Sequence, residues 1–497
     1  MTRTTLSLPL MVRSRTLRTL VPIVGLAVAI WASPSMPAAG LEEALAGGEL
    51  LSRPTDHDIM VRALAARSLT AEVEWGTTAG EYDHTSAAVH AEGGDPFEIV
   101  LSGLAPDTDY VYRLRIRPDD QPSTPQLGPG RTFHTQRLAG SPFTFVVQTD
   151  SHLDENSNPE VYAQALRNAL ADHPDFMVDL GDTAMTDRCV IGGTDLCSRD
   201  RATAYEQIAG RNALMRSYFA QVGHSLPLFL VLGNHEGEAG WIEDGGANNL
   251  SIWGVRARKF FYANPEPDRF YSGNGREDPL VGRRQNYYAF EWGDALFVAL
   301  DPFSNTTRKP TRFTDADMWN WTLGDEQYHW LERTLAESRA RFKFVFSHHM
   351  TGGSGPEARG GAAFARNFEW GGRNIDGSWG FTDHRPGWAK PIHQLLVDNH
   401  VTIWFHGHDH VYVQEMLDGV VYQEVPQPST RRASAADLAA EYGYLGTSGV
   451  NAFASSGHLR VSVQPAEVRV TYVRAVAPGE ETPRVHNAEV VTSYVTR

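Results

Sequence analysis

Five short apolar runs in this chain each stop abruptly at residues able to hold a metal or a proton, and this repetition narrows the folds open to it. FTFVVQ precedes Asp150 and His152, DFMVDL precedes Asp182, and LPLFLVL precedes Asn234 and His235. FKFVFS then runs into His348 and His349, and VTIWF into His408 and His410. Runs this apolar and this short read as strands buried on both faces. PEVYAQALRNALADH, between the first two, carries apolar residues at helical spacing. Strand, loop and helix in alternation indicate an α/β domain, in which functional groups collect beyond the carboxyl ends of the strands. Each stop has an ordinary explanation taken singly: Asp caps turns, Gly-Asp is a common turn dipeptide, and a lone His is usually packed or exposed. Five together place carboxylates and imidazoles in one low-dielectric cleft, where they are costly without a cation.

Asp150, His152, Asp182, Asn234, His348, His408 and His410 are enough to serve two metals if one carboxylate bridges them, with positions left for water and a substrate oxygen. That describes a hydrolytic site. Imidazole and carboxylate without thiolate suit Fe, Mn or Zn, so the expected cofactors are two divalent or mixed-valence transition metal ions. The formal net charge of -16 argues against a nucleic-acid-binding surface or one that adheres to anionic lipid. A bound metal pair is what allows an acidic protein to hold a phosphate, because it reverses the local field.

Residues 1-39 read as a secretory signal: Arg3, Arg13, Arg15 and Arg18, then the apolar run Leu20 to Trp31, then small residues and prolines. That run is well short of the ~20 residues a membrane span needs, so no span is expected after cleavage and the destination is secreted or periplasmic. In an oxidising compartment Cys189 and Cys197, the only cysteines, read as a local disulfide across CVIGGTDLC.

From 45-138 short alternating runs such as LTAEVEW, PFEIVLSGL and DYVYRLRI are separated by Gly, Pro and Asp clusters, the pattern of a small all-β sandwich. LSGLAPDTDYVYRLRI followed by RTFHT resembles the end of a fibronectin type III-like domain, and similar domains precede the catalytic domain of purple acid phosphatases. Gly140, Ser141 and Pro142 form a linker, and 143-497 is read as the catalytic domain. HLRVSVQPAEVRVTYVRA near its end gives two further strands, expected to complete a second sheet of that domain.

Asp-x-His, Gly-Asp, Gly-Asn-His-Glu, a strand-terminal His and Gly-His-x-His, in that order from Phe143 to Tyr412, resemble the motif set of calcineurin-like metallophosphoesterases. The resemblance implies a two-sheet β-sandwich flanked by helices, and a phosphomonoester or phosphodiester hydrolysed by hydroxide bound at a two-metal centre. It also implies positions: Asp150, His152 and His410 on one metal, Asn234, His348 and His408 on the other, and Asp182 between them. His235 is not a ligand in this pattern; it contacts the phosphate or protonates the leaving group. Two departures separate the chain from purple acid phosphatases, which have Gly at the His152 position and a tyrosine ligand at the Met185 position. The strong colour of those enzymes is therefore not expected. Other relatives orient the motif histidine with an Asp at the Met185 position, which leaves Glu236 and Asp187 as candidates to orient His235. At the fourth motif, successive strand residues face opposite ways, so one of His348 and His349 faces the metals. The family's His-x-Pro aligns His348.

FARNFEWGGRNIDGSWGFTDHRPGWAKP, between the fourth and fifth motifs, offers Arg366, Arg373 and Arg385 as clamps for a phosphate or carboxylate, with Arg373 taken as the substrate contact. The insertion from Trp241 to Arg284 is a second candidate for specificity. The rival to an enzyme acting on a phosphoester small molecule is a non-catalytic surface-binding protein with a structural metal site. Every ligand position and His235 are kept, which a degenerate site would not require.

Overall fold

The computed structural model describes residues 41–121, 123–186, 190–191, 194–195, 204–430, 439, 441–444, 451–453 and 456–497. The signal segment, Cys189, Cys197 and Asp187 lie outside the described residues.

Alternation of buried and exposed positions produces the N-terminal β-region. Asp109–Pro118 buries every second residue, as a strand with one wet face must. It pairs with Leu69–Gly76 in one sheet, while Leu45–Ser52, Asp58–Ala65 and Pro96–Ser102 form the other. Ile59, Val61, Val73, Tyr112 and Leu114 fill the space between them.

The larger part is built on two sheets. The first runs in the order Leu228–Leu230, Phe176–Asp179, Phe143–Gln148, Gly457–Gln464, Glu467–Arg474 and Val490–Thr496. Its first three strands are parallel and the C-terminal strands are antiparallel. The second has the order Ser272–Gly273, Tyr288–Trp292, Ala295–Ala299, Phe342–Phe346, Ile403–His406, Val420–Glu424, Tyr412–Leu417 and Asn451–Phe453. Both faces of the central strands are covered, which accounts for their unbroken apolar sequences. Between the sheets the filling is aromatic: Phe297 meets Phe145 edge-on and stacks on Phe290, with ring centroids 5.0 Å apart in both pairs. Helices Pro159–Ala171 and Tyr205–Gly223 pack on the first sheet, and Asp325–Glu337 and Ile392–Asp398 on the second. Pro159–Ala171 begins where expected, because Asn158 caps it from the amides of Glu160 and Val161 and proline occupies its first turn. No described helix is long and apolar enough to cross a membrane.

The two parts share a core. Leu50 and Leu64 of the β-region pack with Met215, Phe219, Val222 and Phe261 of the larger part. Polar groups seal the seam: buried Arg216 donates to the carbonyls of Gly48 and Arg62 on one side and Phe261 on the other. Arg62 returns the pattern, donating to Lys259 and Phe260 carbonyls at 2.7 Å each. Hydrogen bonds to a charged group contribute about 1.5–3 kcal/mol each, so Arg216→Ala is expected to cost roughly 3 kcal/mol or more in denaturant unfolding. An unchanged midpoint would show that the joint carries no stability.

Candidate metal centre

The turns after five central strands converge across the gap between the two sheets. Their backbones tie together before any side chain is considered. The Asp150 amide donates to Gly181, the His152 amide to Asp182, and Gly407 to the carbonyl of His348. Asp150 also accepts from the His408 amide at 2.8 Å, which links the sheets directly. Approach this close requires glycine. A Cβ on Gly181 would lie 2.2 Å from the Gly233 nitrogen, and one on Gly407 would lie 2.1 Å from the Thr149 hydroxyl.

Asp150, His152, Asp182, His408 and His410 all have positive φ, between 50° and 81°. None is glycine, so each holds a backbone conformation costing of order 1–3 kcal/mol, and such strain persists where surrounding contacts dictate it. At Asp182 and His152 two buried side chains supply such contacts. Glu236 accepts the amides of Asp182 and Gly233 on one oxygen and those of Thr183 and Ala184 on the other, at 2.6–3.2 Å. Arg211, on the helix Tyr205–Gly223, donates to the carbonyls of His152, Leu153 and Ala184. Glu236 is thus committed to backbone and does not orient His235, contrary to one sequence expectation. With both its oxygens surrounded by amides, it fixes the loops instead.

Three overlapping sets of side chains each bring one ligand atom per residue within 4.8 Å of the others: Asp150, His152 and His410; His152, Asp182 and His235; Asp182, His348 and His408. The first and third match the two halves read from the motifs. The second places His235 beside the cluster, its Nε2 3.8 Å from Asp182 Oδ2. Asn234 lines the same cleft. Asp150 Oδ1, His152 Nε2, Asn234 Oδ1 and His348 Nε2 are buried and make no hydrogen bond of ordinary geometry, although His152 and His348 lie 3.4 and 3.0 Å from the carboxylates of Asp150 and Asp182. Four such atoms directed into one cluster are what a cation site requires, since orphaned buried polar atoms are otherwise expensive.

The outer nitrogens are held as metal-bound imidazoles usually are. His348 donates from Nδ1 to the Leu180 carbonyl at 3.0 Å, His408 donates from Nε2 to the Glu357 carbonyl at 2.8 Å, and His152 Nδ1 lies 3.6 Å from Asp154. Charge follows the same pattern. Burial alone would raise Asp150, but the imidazoles of His410 and His348 hold it well below the usual carboxylate range. Burial alone would lower His348, yet Asp182 and Asp150 raise it to about 9. The carboxylates draw positive charge into the cluster, and a divalent cation answers the same demand.

The adjacent histidine behaves differently. His349 lies in an aromatic box, with ring centroids 4.8 Å from Phe303 and 4.7 Å from Trp321. Burial, then the neighbouring His348, pushes it down to about 3. His348→Ala is accordingly expected to lower metal content, while His349→Ala keeps it and loses packing; the reverse result would transfer the ligand role.

A cavity of about 470 Å³ opens over the cluster, lined by His152, Asn234, His235, His408 and His410 among others. Arg373 is not in it: this residue is exposed, bound to the Gly377 carbonyl, and held in the loop's own turn. Arg366 is exposed, and Arg385 is taken up by Glu369 and the carbonyls of Trp319 and Trp321. Among the described residues the cationic side chains bordering the cavity, apart from its histidines, are Lys309 and Arg359, which the sequence did not single out. Trp241 and Ile242, from the second candidate insertion, also line it.

A profile of the family described as calcineurin-like phosphoesterase matches residues 143–412, more than half of the chain. The chain belongs to the calcineurin-like phosphoesterases. It is therefore a metal-dependent phosphoesterase, with clusters of His and Asp suited to divalent metals. Among solved structures this phosphoesterase is similar to PhoD, at 14% identity and a TM-score of 0.64, over 92% of this chain and 91% of that one. It is also similar to the purple acid phosphatase PPD1 from yellow lupin (Lupinus luteus) seeds, at 15% identity and a TM-score of 0.58, over 90% and 73% of the two chains. At such identities the likeness is one of fold: helix-flanked sheets preceded by a small β-domain. No curated protein matches the chain in sequence.

Proposed function

We propose that this phosphoesterase is exported to a secreted or periplasmic space and hydrolyses a small-molecule phosphomonoester or phosphodiester at a binuclear metal centre. The observation that supports it most is the convergence of Asp150 Oδ1, His152 Nε2, Asn234 Oδ1 and His348 Nε2, buried and without hydrogen bonds of ordinary geometry. Asp150, His152 and His410 would hold one ion, Asn234, His348 and His408 the other, and Asp182 both. When bound, two such cations supply Lewis acidity toward phosphoryl oxygens and lower the pKa of water to near neutrality. The protein's own part is to fix the ligands and to manage protons. Glu236 and Arg211 hold the strained loops, so the ligands need little rearrangement on loading. His235, at the margin of the cluster and only partly exposed, is placed to donate to a phosphoryl oxygen or to the departing alkoxide. Export rests on the arginine-rich start, the apolar run from Leu20 to Trp31 and the small residues after it.

Turnover of 4-nitrophenyl phosphate and bis(4-nitrophenyl) phosphate, measured in parallel, tests the reading. At least one should be hydrolysed, lost on exhaustive chelation and restored by adding metal. Turnover of neither, or undiminished turnover in stripped protein, would overturn it. A mature N-terminus near residue 40 checks the export step.

A further inference from the structure

The cavity is far larger than a phosphoryl group needs, and beside the carboxylates Asp154, Asp182 and Glu357 its lining carries two cations, Lys309 and Arg359. Lys309 lies over the Trp241 ring, 5.9 Å from its centroid, and pairs with Glu357 at 3.2 Å. Arg359 lies over the Tyr442 ring at 4.5 Å. Of the chain's 44 lysines and arginines, these two border the cavity among the described residues. The other three lysines are occupied elsewhere: Lys259 and Lys343 donate to main-chain carbonyls, and Lys390 pairs with Asp398.

Both rim cations are fixed relative to the metal cluster. Arg359 donates to the His408 carbonyl at 2.8 Å and to Asp409 at 3.0 Å, while His408 Nε2 donates to the carbonyl of Glu357. Trp241 rests edge-on against Trp321, which in turn packs on His349. A rigid aromatic wall thus runs from beneath Lys309 to the cluster. Ring faces attract cations without neutralising them; Arg359 also has the buried Asp409 as a counter-ion, so Lys309 is the cation that an exchange of partners can free. Glu357, half-exposed, is the internal anion that now pairs with Lys309.

We propose that Lys309 and Arg359 form an anion subsite at the rim of the cleft, selecting phosphoesters that carry a second anionic group, a carboxylate or a further phosphate. The proposal rests on the phosphoesterase reading and adds the substrate class. Glu357 occupies Lys309 until the substrate anion replaces it. A surface pair of this kind is weak, so the exchange is cheap.

Matched substrates test it. 3-Phosphoglycerate and glycerol 3-phosphate release similar alkoxides and differ in a carboxylate; glucose 1,6-bisphosphate against glucose 6-phosphate supplies the phosphate arm. In metal-loaded protein the anionic member of at least one pair should have the higher kcat/KM by tenfold or more. Lys309→Met should reduce that preference about tenfold, and Glu357→Gln should increase it. The fall should appear mainly in KM, because the contact is made in ground and transition states alike. Equal kcat/KM within both pairs, or a preference untouched by Lys309→Met, would overturn the subsite while leaving the phosphoesterase reading in place. Absence of turnover for all four esters in protein that hydrolyses either nitrophenyl ester would also overturn the subsite alone, and absence of turnover for these four and for both nitrophenyl esters would remove both.

Discussion

Replacing Asp182 by alanine is expected to lower phosphoester turnover by at least ~10³-fold, about 4 kcal/mol of transition-state stabilisation, and to reduce metal content. The size follows from position. Asp182 belongs to two of the three ligand sets and lies 3.0 Å from His348 Nε2 and 3.7 Å from His152 Nε2. It also accepts the His235 amide at 2.8 Å, so its removal loosens the acid candidate as well as the metals. Asp150→Ala should leave one half of the site better preserved, because Asp150 serves only the set with His152 and His410. Kinetics and metal analysis on the same samples decide the matter. An Asp182→Ala protein with two metals and more than a tenth of normal turnover would refute the bridging role.

The second large effect is on the fold. Glu236→Ala strands four buried backbone amides, those of Asp182, Thr183, Ala184 and Gly233. An unsatisfied buried donor costs about 1–3 kcal/mol, and water entering the gap would recover part of it. A net loss of roughly 3–5 kcal/mol in denaturant unfolding is expected, together with weaker metal binding, because the released turns carry Asp182 and Asn234. A change within about 0.5 kcal/mol, the range of ordinary surface substitutions, would show that the carboxylate does not hold these turns.

Glu236 also marks where sequence reading stops. Its presence in Gly-Asn-His-Glu was plain, and an orienting role toward His235 was a reasonable expectation; the structure spends both oxygens on backbone amides. Main-chain partners leave no trace in a sequence, because every residue carries an amide. The residues that converge in the cluster were legible for the opposite reason. Metal chemistry demands particular residue types, and buried strands that must end somewhere put them at recognisable places. The left-handed backbone of Asp150, His152, Asp182, His408 and His410 had only an indirect signal, the neighbouring glycines Gly181 and Gly407.

The substrate side was read less well, and Arg373 shows why. A loop rich in arginine says nothing about which guanidinium turns inward; Arg373 closes a local turn and Arg385 meets Glu369. Arg359, beside the fourth motif, reaches the cleft because the backbone of His408 accepts from it. Lys309 had one signal, its rarity in a chain with four lysines, and rarity alone carries no chemistry. The strand Val490–Thr496, which has no fully buried residue, lacked the apolar pattern that revealed its neighbours.

If the seven residues enclose two metal ions, anomalous diffraction from crystals of protein loaded with manganese or zinc will locate both. Two peaks are expected in one cluster, one bordered by Asp150, His152 and His410, the other by Asn234, His348 and His408, with Asp182 between them. A single peak, or two peaks outside this cage in protein that turns over substrate, would contradict the account.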